Sequence, residues 1–200
     1  MRHVWMFLAV AMVPAVMAGE SGPQLKLLAT LEGARPGAYI PIAFSPDGKV
    51  LACGDFVIPV MAPEKENVRC VGSVKLWDVD KRKVIATLRD AGGDCDYGIY
   101  SVAFGPDGKT LAAVSGRKKV TLWDVATGKE KAPLKGDPKG ALLAFGPDGK
   151  TIASASDDSK TVILWDPSTG KEKATLKGLP SAVMSVAFSR DGKLFAAGGL

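Results

Sequence analysis

The stretch SVAFGPDGKTLAAVSGRKKVTLWDVATGKEKAPLKG, residues 101–136, decides how this chain folds. It opens on a short apolar run, Ser101 to Phe104. Gly105-Pro106-Asp107-Gly108-Lys109 follows. Pro presets φ for the second position of a type I turn, and Gly accepts the left-handed position after it. Such a turn between two apolar runs closes a hairpin. TLAAVS is then a second strand, VTLWD a third, and Thr127-Gly128-Lys129 turns the chain into a fourth. Four strands joined by tight turns make an antiparallel meander.

The unit recurs. Ser45-Pro46-Asp47-Gly48-Lys49, Gly146-Pro147-Asp148-Gly149-Lys150 and Ser189-Arg190-Asp191-Gly192-Lys193 repeat the turn, each after a run ending in Phe44, Phe145 or Phe188. VLACG, TIASAS and LFAAGG repeat the second strand. Trp77-Asp78, Trp123-Asp124 and Trp165-Asp166 end the third strands, with the tryptophans 46 and 42 positions apart. A period of about 40–45 residues suits a propeller blade. The inner strands, Ser101 to Phe104 and Ala141 to Phe145, read as nearly continuous apolar runs, so both their faces are expected to be buried. One four-stranded sheet cannot bury both its faces, whereas copies stacked face to face can.

The succession AFSPDGK, LASxS, VxLWD, TGK and TLKG resembles the WD-repeat (WD40) β-propeller family over about residues 25–200. Four turn matches and three Trp-Asp matches at one period separate it from an unrelated β-sandwich. The resemblance implies an all-β fold of four-stranded antiparallel blades. Three are complete, at residues 39–90, 99–136 and 141–178, and a fourth is partial, at 183–200. A closed ring of this kind takes about seven blades, roughly 300 residues, so the sequence reads as a fragment of a longer propeller. In the resemblance Trp77, Asp78, Trp123, Asp124, Trp165, Asp166, Gly48, Gly108, Gly149 and Gly192 are structural repeat residues, not ligands. Family blades often carry a His that joins a turn Asp, a Ser and the Trp in a buried network. Here the sole His is His3, and only Asp157-Asp158 matches the turn Asp well. The network is incomplete in every blade, so stability must lean on apolar packing.

The chain begins with Met1-Arg2-His3 and an apolar run from Val4 to Val16, followed by Val16-Met17-Ala18 with small residues at a cleavage site. This reads as a secretory signal peptide over residues 1–18, cleaved after Ala18. The apolar run is short of the roughly 20 residues of a spanning helix. The expectation is a secreted or periplasmic protein with no membrane span after cleavage. Residues 19–38 carry LKLLATLEG, which matches the outer strand near Lys171 to Gly178 and is expected to complete the last blade of a ring.

Measured against residues 101–136, the first blade is oversized. Its extra residues, DFVIPVMAPEKENVRCV, run from Asp55 to Val71. The connection to the second blade is extended by AGGDCDYG, Ala91 to Gly98. Because the strands alternate in direction, both insertions leave from one face and the Pro-Asp-Gly turns lie on the other. Loops of varied length on a rigid scaffold are where binding concentrates. Glu64, Lys65, Arg69, Asp94, Asp96 and Tyr97 are the candidate binding residues of that face. Cys53, Cys70 and Cys95 fall there too. An exported protein permits disulfides: Cys53 with Cys70 would staple the first insertion, Cys70 with Cys95 would join the two, and the absence of any disulfide stays open.

Little in the sequence carries catalysis. Without His in the mature chain there is no Ser-His-Asp or Cys-His base and no His metal site. The glycines sit singly in turns and make no phosphate loop. Asp94 and Asp96 beside Tyr97 offer two carboxylates, too few for a calcium site, and read as a solvated loop. No cofactor is expected. Lys and Arg number 26 against 21 acids, interleaved in the turns, a solvated surface and not a nucleic-acid stripe. The leading expectation is a non-enzymatic scaffold that binds protein partners outside the cytoplasm through the insertion face. The alternatives are a propeller attached to or assisting an enzyme such as a hydrolase encoded beyond residue 200, and a sugar- or ion-binding propeller.

Overall fold

Pro-Asp-Gly and Trp-Asp punctuate the computed structural model of this chain as they punctuate its sequence. The structure describes residues 8–12, 26–31, 41–54, 73–89, 98–115, 120–131, 134, 140–156, 160–179 and 183–199. Every regular element among them is a strand. β1 (Leu8–Met12) and β2 (Lys26–Leu31) pair antiparallel in a sheet of their own. The first blade follows as β3 (Ile42–Phe44), β4 (Val50–Gly54), β5 (Ser73–Asp78) and β6 (Lys83–Arg89), hydrogen-bonded in chain order. The second is β7 (Ile99–Phe104), β8 (Thr110–Ser115) and β9 (Val120–Asp124). The third is β10 (Gly140–Phe145), β11 (Ile152–Ser156), β12 (Val162–Trp165) and β13 (Glu172–Leu176), and β14 (Val183–Phe188) with β15 (Phe195–Gly199) begins a fourth. All pairings are antiparallel, giving an all-β stack of propeller-type blades.

β2 falls within residues 19–38, and its partner is β1. Among the described residues no blade strand pairs with it.

In the second blade the described residues beyond β9 add one bridge, between Trp123 and Glu130.

Each Pro-Asp-Gly hairpin closes in the same way. The amide of Gly105 donates to the carbonyl of Thr110 at 2.8 Å, and that of Gly108 to Gly105 at 2.9 Å. The turns at Ser45, Gly146 and Ser189 repeat both bonds. Gly149 sits at φ 67°, and a Cβ there would stand 3.2 Å from Pro106 of the preceding blade. Glycine therefore serves twice, once for the backbone angle and once for the close approach.

Trp-Asp serves the third strand and the turn after it. Asp124 Oδ1 accepts from the amide and the hydroxyl of Thr127, each at 2.9 Å. Asp166 Oδ1 accepts from the amide of Ser168 at 2.8 Å and its hydroxyl at 2.6 Å. Asp78 takes the amide of Lys81 on Oδ1 at 2.7 Å and its Nζ on Oδ2 at 2.9 Å. These hydrogen bonds hold all three carboxyls below the ordinary value of 3.8. Gly128 and Gly170 take the left-handed position five residues after their Trp, at φ 66° and 68°. In the first blade Arg82 takes it, at φ 53°. A side chain there costs about 1 kcal/mol or more.

The tryptophans point back along the stack. Trp123 belongs to one buried cluster with Ala52, Val74, Leu76 and Leu88 of the first blade. Trp165 joins Ala112, Val114, Val120 and Leu122 of the second. Trp77 lies with Leu51 and Cys53 on the face of the first blade turned away from the second. The third blade closes on Val183, Phe188 and Phe195 of the fourth. Fully burying one Val, Leu or Ile contributes about 1.5–3 kcal/mol, and Val74, Leu76, Leu111, Val114, Leu122 and Ile152 are all at or below 1 % exposure.

Burial is greatest one strand outward from where the apolar runs put it. β8 is buried from Leu111 to Ser115, and Leu51, Ala52, Ile152 and Ala153 are equally enclosed. In β7, by contrast, Tyr100 is exposed and Ser101 and Ala103 are half-buried; in β10, Leu142, Ala144 and Phe145 are half-buried. The inner strand is an edge, with a neighbouring strand on one side only. β8 and β11 have strands on both sides and packed blades on both faces.

One fragment of a buried polar network survives. In the third blade Trp165 Nε1 donates to Ser154 Oγ at 2.8 Å. Aligning the second strands places Ala113 and Cys53 at that position in the other blades, so no hydroxyl stands there. In the second blade Thr121 Oγ1 is buried with no partner among the described residues, where the third has Ile163. Ser154→Ala leaves the indole N–H buried and unmet, and is expected to cost about 1–3 kcal/mol. Thr121→Val removes an unmet hydroxyl and is expected to leave stability unchanged or raise it by up to about 1 kcal/mol. Urea unfolding followed by tryptophan fluorescence measures both. Equal losses in the two variants would show that neither hydroxyl is placed as described.

Candidate binding face

Alternation of strand direction sends the blade connections to two faces. One carries the three Pro-Asp-Gly hairpins, the equivalent Arg190-Asp191-Gly192 turn and the Asp-capped turns, alike from blade to blade. A notch of about 360 Å³ opens there between the third and fourth blades, lined by Pro147, Thr151, Phe188 and Arg190 among others. The other face carries the connections between second and third strands and between blades. In the second and third blades the former runs over residues 116–119 and 157–161. In the first it runs over 55–72.

The roots of the two long connections meet. Gly54 ends β4 where the first insertion leaves, and Ile99 starts β7 where the second returns. A Cβ on Gly54 would lie 2.9 Å from Ile99 Cβ and 2.7 Å from Pro41 Cγ. The Gly54 amide also donates to the Pro41 carbonyl at 2.9 Å. Only glycine permits this approach without displacement. Ile99 is 1 % exposed and pairs in register with Ser115, at the root of the second blade's own turn. Among the described residues Ser115 Oγ is buried without a hydrogen-bond partner. Three loop roots thus converge on one apolar point.

Of the candidate residues, Cys53 lies within this root. Its side chain is buried, with Sγ 3.8 Å from the Gly54 carbonyl. Glu64, Lys65, Arg69, Cys70, Asp94, Cys95, Asp96 and Tyr97 lie outside the described residues, and with them the Cys53–Cys70 pairing. Asp157 and Asp158 lie outside them as well. The structural repeat residues are all described: the three tryptophans are buried and the aspartates cap turns. Among the described residues no three His, Cys, Asp or Glu side chains gather as metal ligands, and no helix is long and apolar enough to cross a membrane.

Two features escaped sequence reasoning. The Gly54 contact has a weak signal, a glycine inside an apolar strand, which marks close backbone approach. Arg82 at a left-handed position becomes legible only once the repeats are aligned on Trp-Asp.

Gly54→Val tests the root. The added side chain must displace Pro41 or Ile99, and a loss of about 1–3 kcal/mol is expected, typical of overpacking. The same change at Gly198, where a Cβ would meet nothing within 4 Å, is the control. Comparable losses by thermal unfolding at the two sites would contradict the convergence of the roots.

Comparison with known proteins gives the following. The pattern of the family described as WD domain, G-beta repeat (WD40) matches residues 82–124, 141–166 and 170–200. A BTB/POZ domain and WD-repeat protein of Acanthamoeba polyphaga mimivirus is 37 % identical over 60 residues, 30 % of this chain and 11 % of that protein. Protein RBL of Arabidopsis thaliana is 32 % identical over 92 residues, 46 % of this chain and 14 % of that protein. The chain therefore matches only a small part of the length of either relative.

Proposed function

This chain belongs to the WD40 (G-beta repeat) family, whose domains generally serve as protein–protein interaction scaffolds, and from that premise we propose that it is a non-enzymatic scaffold binding a protein partner on the face that carries its two insertions. The observation that carries this reading is the contact of the loop roots at Gly54 and Ile99. The described residues that border two long stretches of sequence, Asp55 to Val71 and Ala91 to Gly98, meet at Gly54 and Ile99 on a well-packed base. Their sequences mix charge and apolar residues, with Glu64, Lys65 and Arg69 on one and Asp94, Asp96 and Tyr97 on the other. That mixture suits a protein surface better than a small ion. Uniform turns on the opposite face offer no comparable variation.

We further propose that residues 1–18 direct export and that the scaffold acts outside the cytoplasm. The reading is supported by the positive start, the apolar run and the small residues before Gly19.

Shortening each insertion to the length of the second blade's connections tests the loop face, because the sibling blades show that short connections fold. Partners captured by the full chain from an extracellular or periplasmic extract are compared with those captured by the shortened one. The expected result is loss of the captured proteins at unchanged melting temperature. Equal recovery by both chains would overturn the loop-face reading.

A further inference from the structure

The outer rim of the first blade breaks the repeat in a second and separate way. Aligned on Trp-Asp, the outer strands read Gly128-Lys129-Glu130-Lys131 in the second blade and Gly170-Lys171-Glu172-Lys173 in the third. The first blade has Arg82-Lys83-Val84-Ile85. The siblings use their polar pair to close the rim. Lys131 Nζ donates to Thr110 Oγ1 at 2.8 Å, and Lys173 Nζ to Thr151 Oγ1 at the same distance. In the first blade the equivalent positions are apolar and bare, Val84 at 41 % and Ile85 at 50 % exposure.

That strand, β6, runs from Lys83 to Arg89, and its only ladder partner among the described residues is β5. Ala86 and Leu88 turn inward to the cluster shared with the second blade. The outer side of β6 is therefore a sheet edge. A bare edge invites another strand, and proteins ordinarily blunt it with proline or with charges inside the strand. Pro133 stands in the second blade's outer segment, and Glu172 and Lys173 open the third's. Between its end residues β6 has neither, since Val84 to Leu88 contains no charge and no proline. The charges at its ends are basic: Arg82 and Lys83 at one end, Arg89 at the other. Lys81 is matched by Asp78, and Asp80 is the remaining acid of the turn. Arg82 keeps its side chain at φ 53° where both siblings relax to glycine. Retained strain with a charged side chain at a strand's head points to use of that charge.

We propose that the edge of β6 is a second interaction site, which takes an extended, acid-flanked segment of a partner protein by strand addition. The partner's backbone continues the sheet, its apolar side chains cover Val84 and Ile85, and its acids meet Arg82, Lys83 and Arg89. The site lies on the rim and is independent of the insertion face, so either can fail without the other.

The probe is a fluorescent, end-capped heptapeptide, Glu-Val-Thr-Val-Thr-Val-Glu, titrated by anisotropy against the full chain. Saturable binding is expected, weakened at least ten-fold by the paired change Val84→Glu with Ile85→Lys. That pair installs the residues of the two sibling blades and so preserves folding. Arg82→Gly is expected to weaken binding several-fold while raising the melting temperature, a combination that a purely structural role for Arg82 would not give. A peptide N-methylated at alternate residues, which cannot extend a ladder, is expected not to bind, and a Lys-flanked peptide to bind at least ten-fold more weakly. The proposal is overturned by absence of saturable binding to the full chain. Equal binding of the N-methylated or Lys-flanked peptide, or of the full chain and the Val84→Glu, Ile85→Lys variant, also overturns it. A dimer seen by light scattering and abolished by that paired variant would instead assign the edge to a second copy of this chain.

Discussion

Trp123 leaves its own sheet and is buried among Ala52, Val74, Leu76 and Leu88 of the sheet before it. Trp165 does the same one blade on, among Ala112, Val114, Val120 and Leu122. This interlocking is what each blade lacks alone, because a four-stranded sheet has two apolar faces and can cover neither. Stacking encloses the second strand completely, and Leu111, Ala112 and Val114 of β8 have no exposure left. The turn geometry follows from the same demand. Sheets this close bring Pro106 against the turn at Gly149 and Pro147 against that at Gly192, leaving no room for a Cβ without a shift. The Asp caps and the left-handed glycines then fix where each outer strand starts.

A scaffold so repetitive makes its exceptions readable. The first blade has three: an insertion between its second and third strands, a long connection to its neighbour, and an apolar outer edge headed by Arg82. Beside them the third strand of the first blade keeps its place in the interlocking. Val74 and Leu76 are buried in the first blade as Val120 and Leu122 are in the second. Variation is confined to the ends and the rim of a sheet whose middle stays constant. That is the arrangement in which interaction surfaces can change without cost to folding, and it is why the first blade concentrates both proposed sites.

The sequence carried the blades plainly, because Pro-Asp-Gly and Trp-Asp state turn and core in the same residues each time. The tryptophans are buried and the turn glycines are left-handed, as the repeat implied. Other features were hidden for physical reasons. Hydropathy reports that a strand is apolar but not whether it lies at an edge, so the inner strands read as the most buried and the second strands are. The contact between Gly54 and Ile99 joins residues 45 positions apart and has no local signature. The partner-facing residues of the insertions follow no period at all, and nothing in the repeat could position them.

Amide hydrogen exchange of the full chain tests the central claim, that the stack is held by second strands enclosed between blades. The slowest exchange is expected in β8 and β11, released together in one cooperative opening under mild denaturant. The outer strands β6 and β13 should open earlier. Independent opening of each blade, or greatest protection in the outer strands, would contradict it.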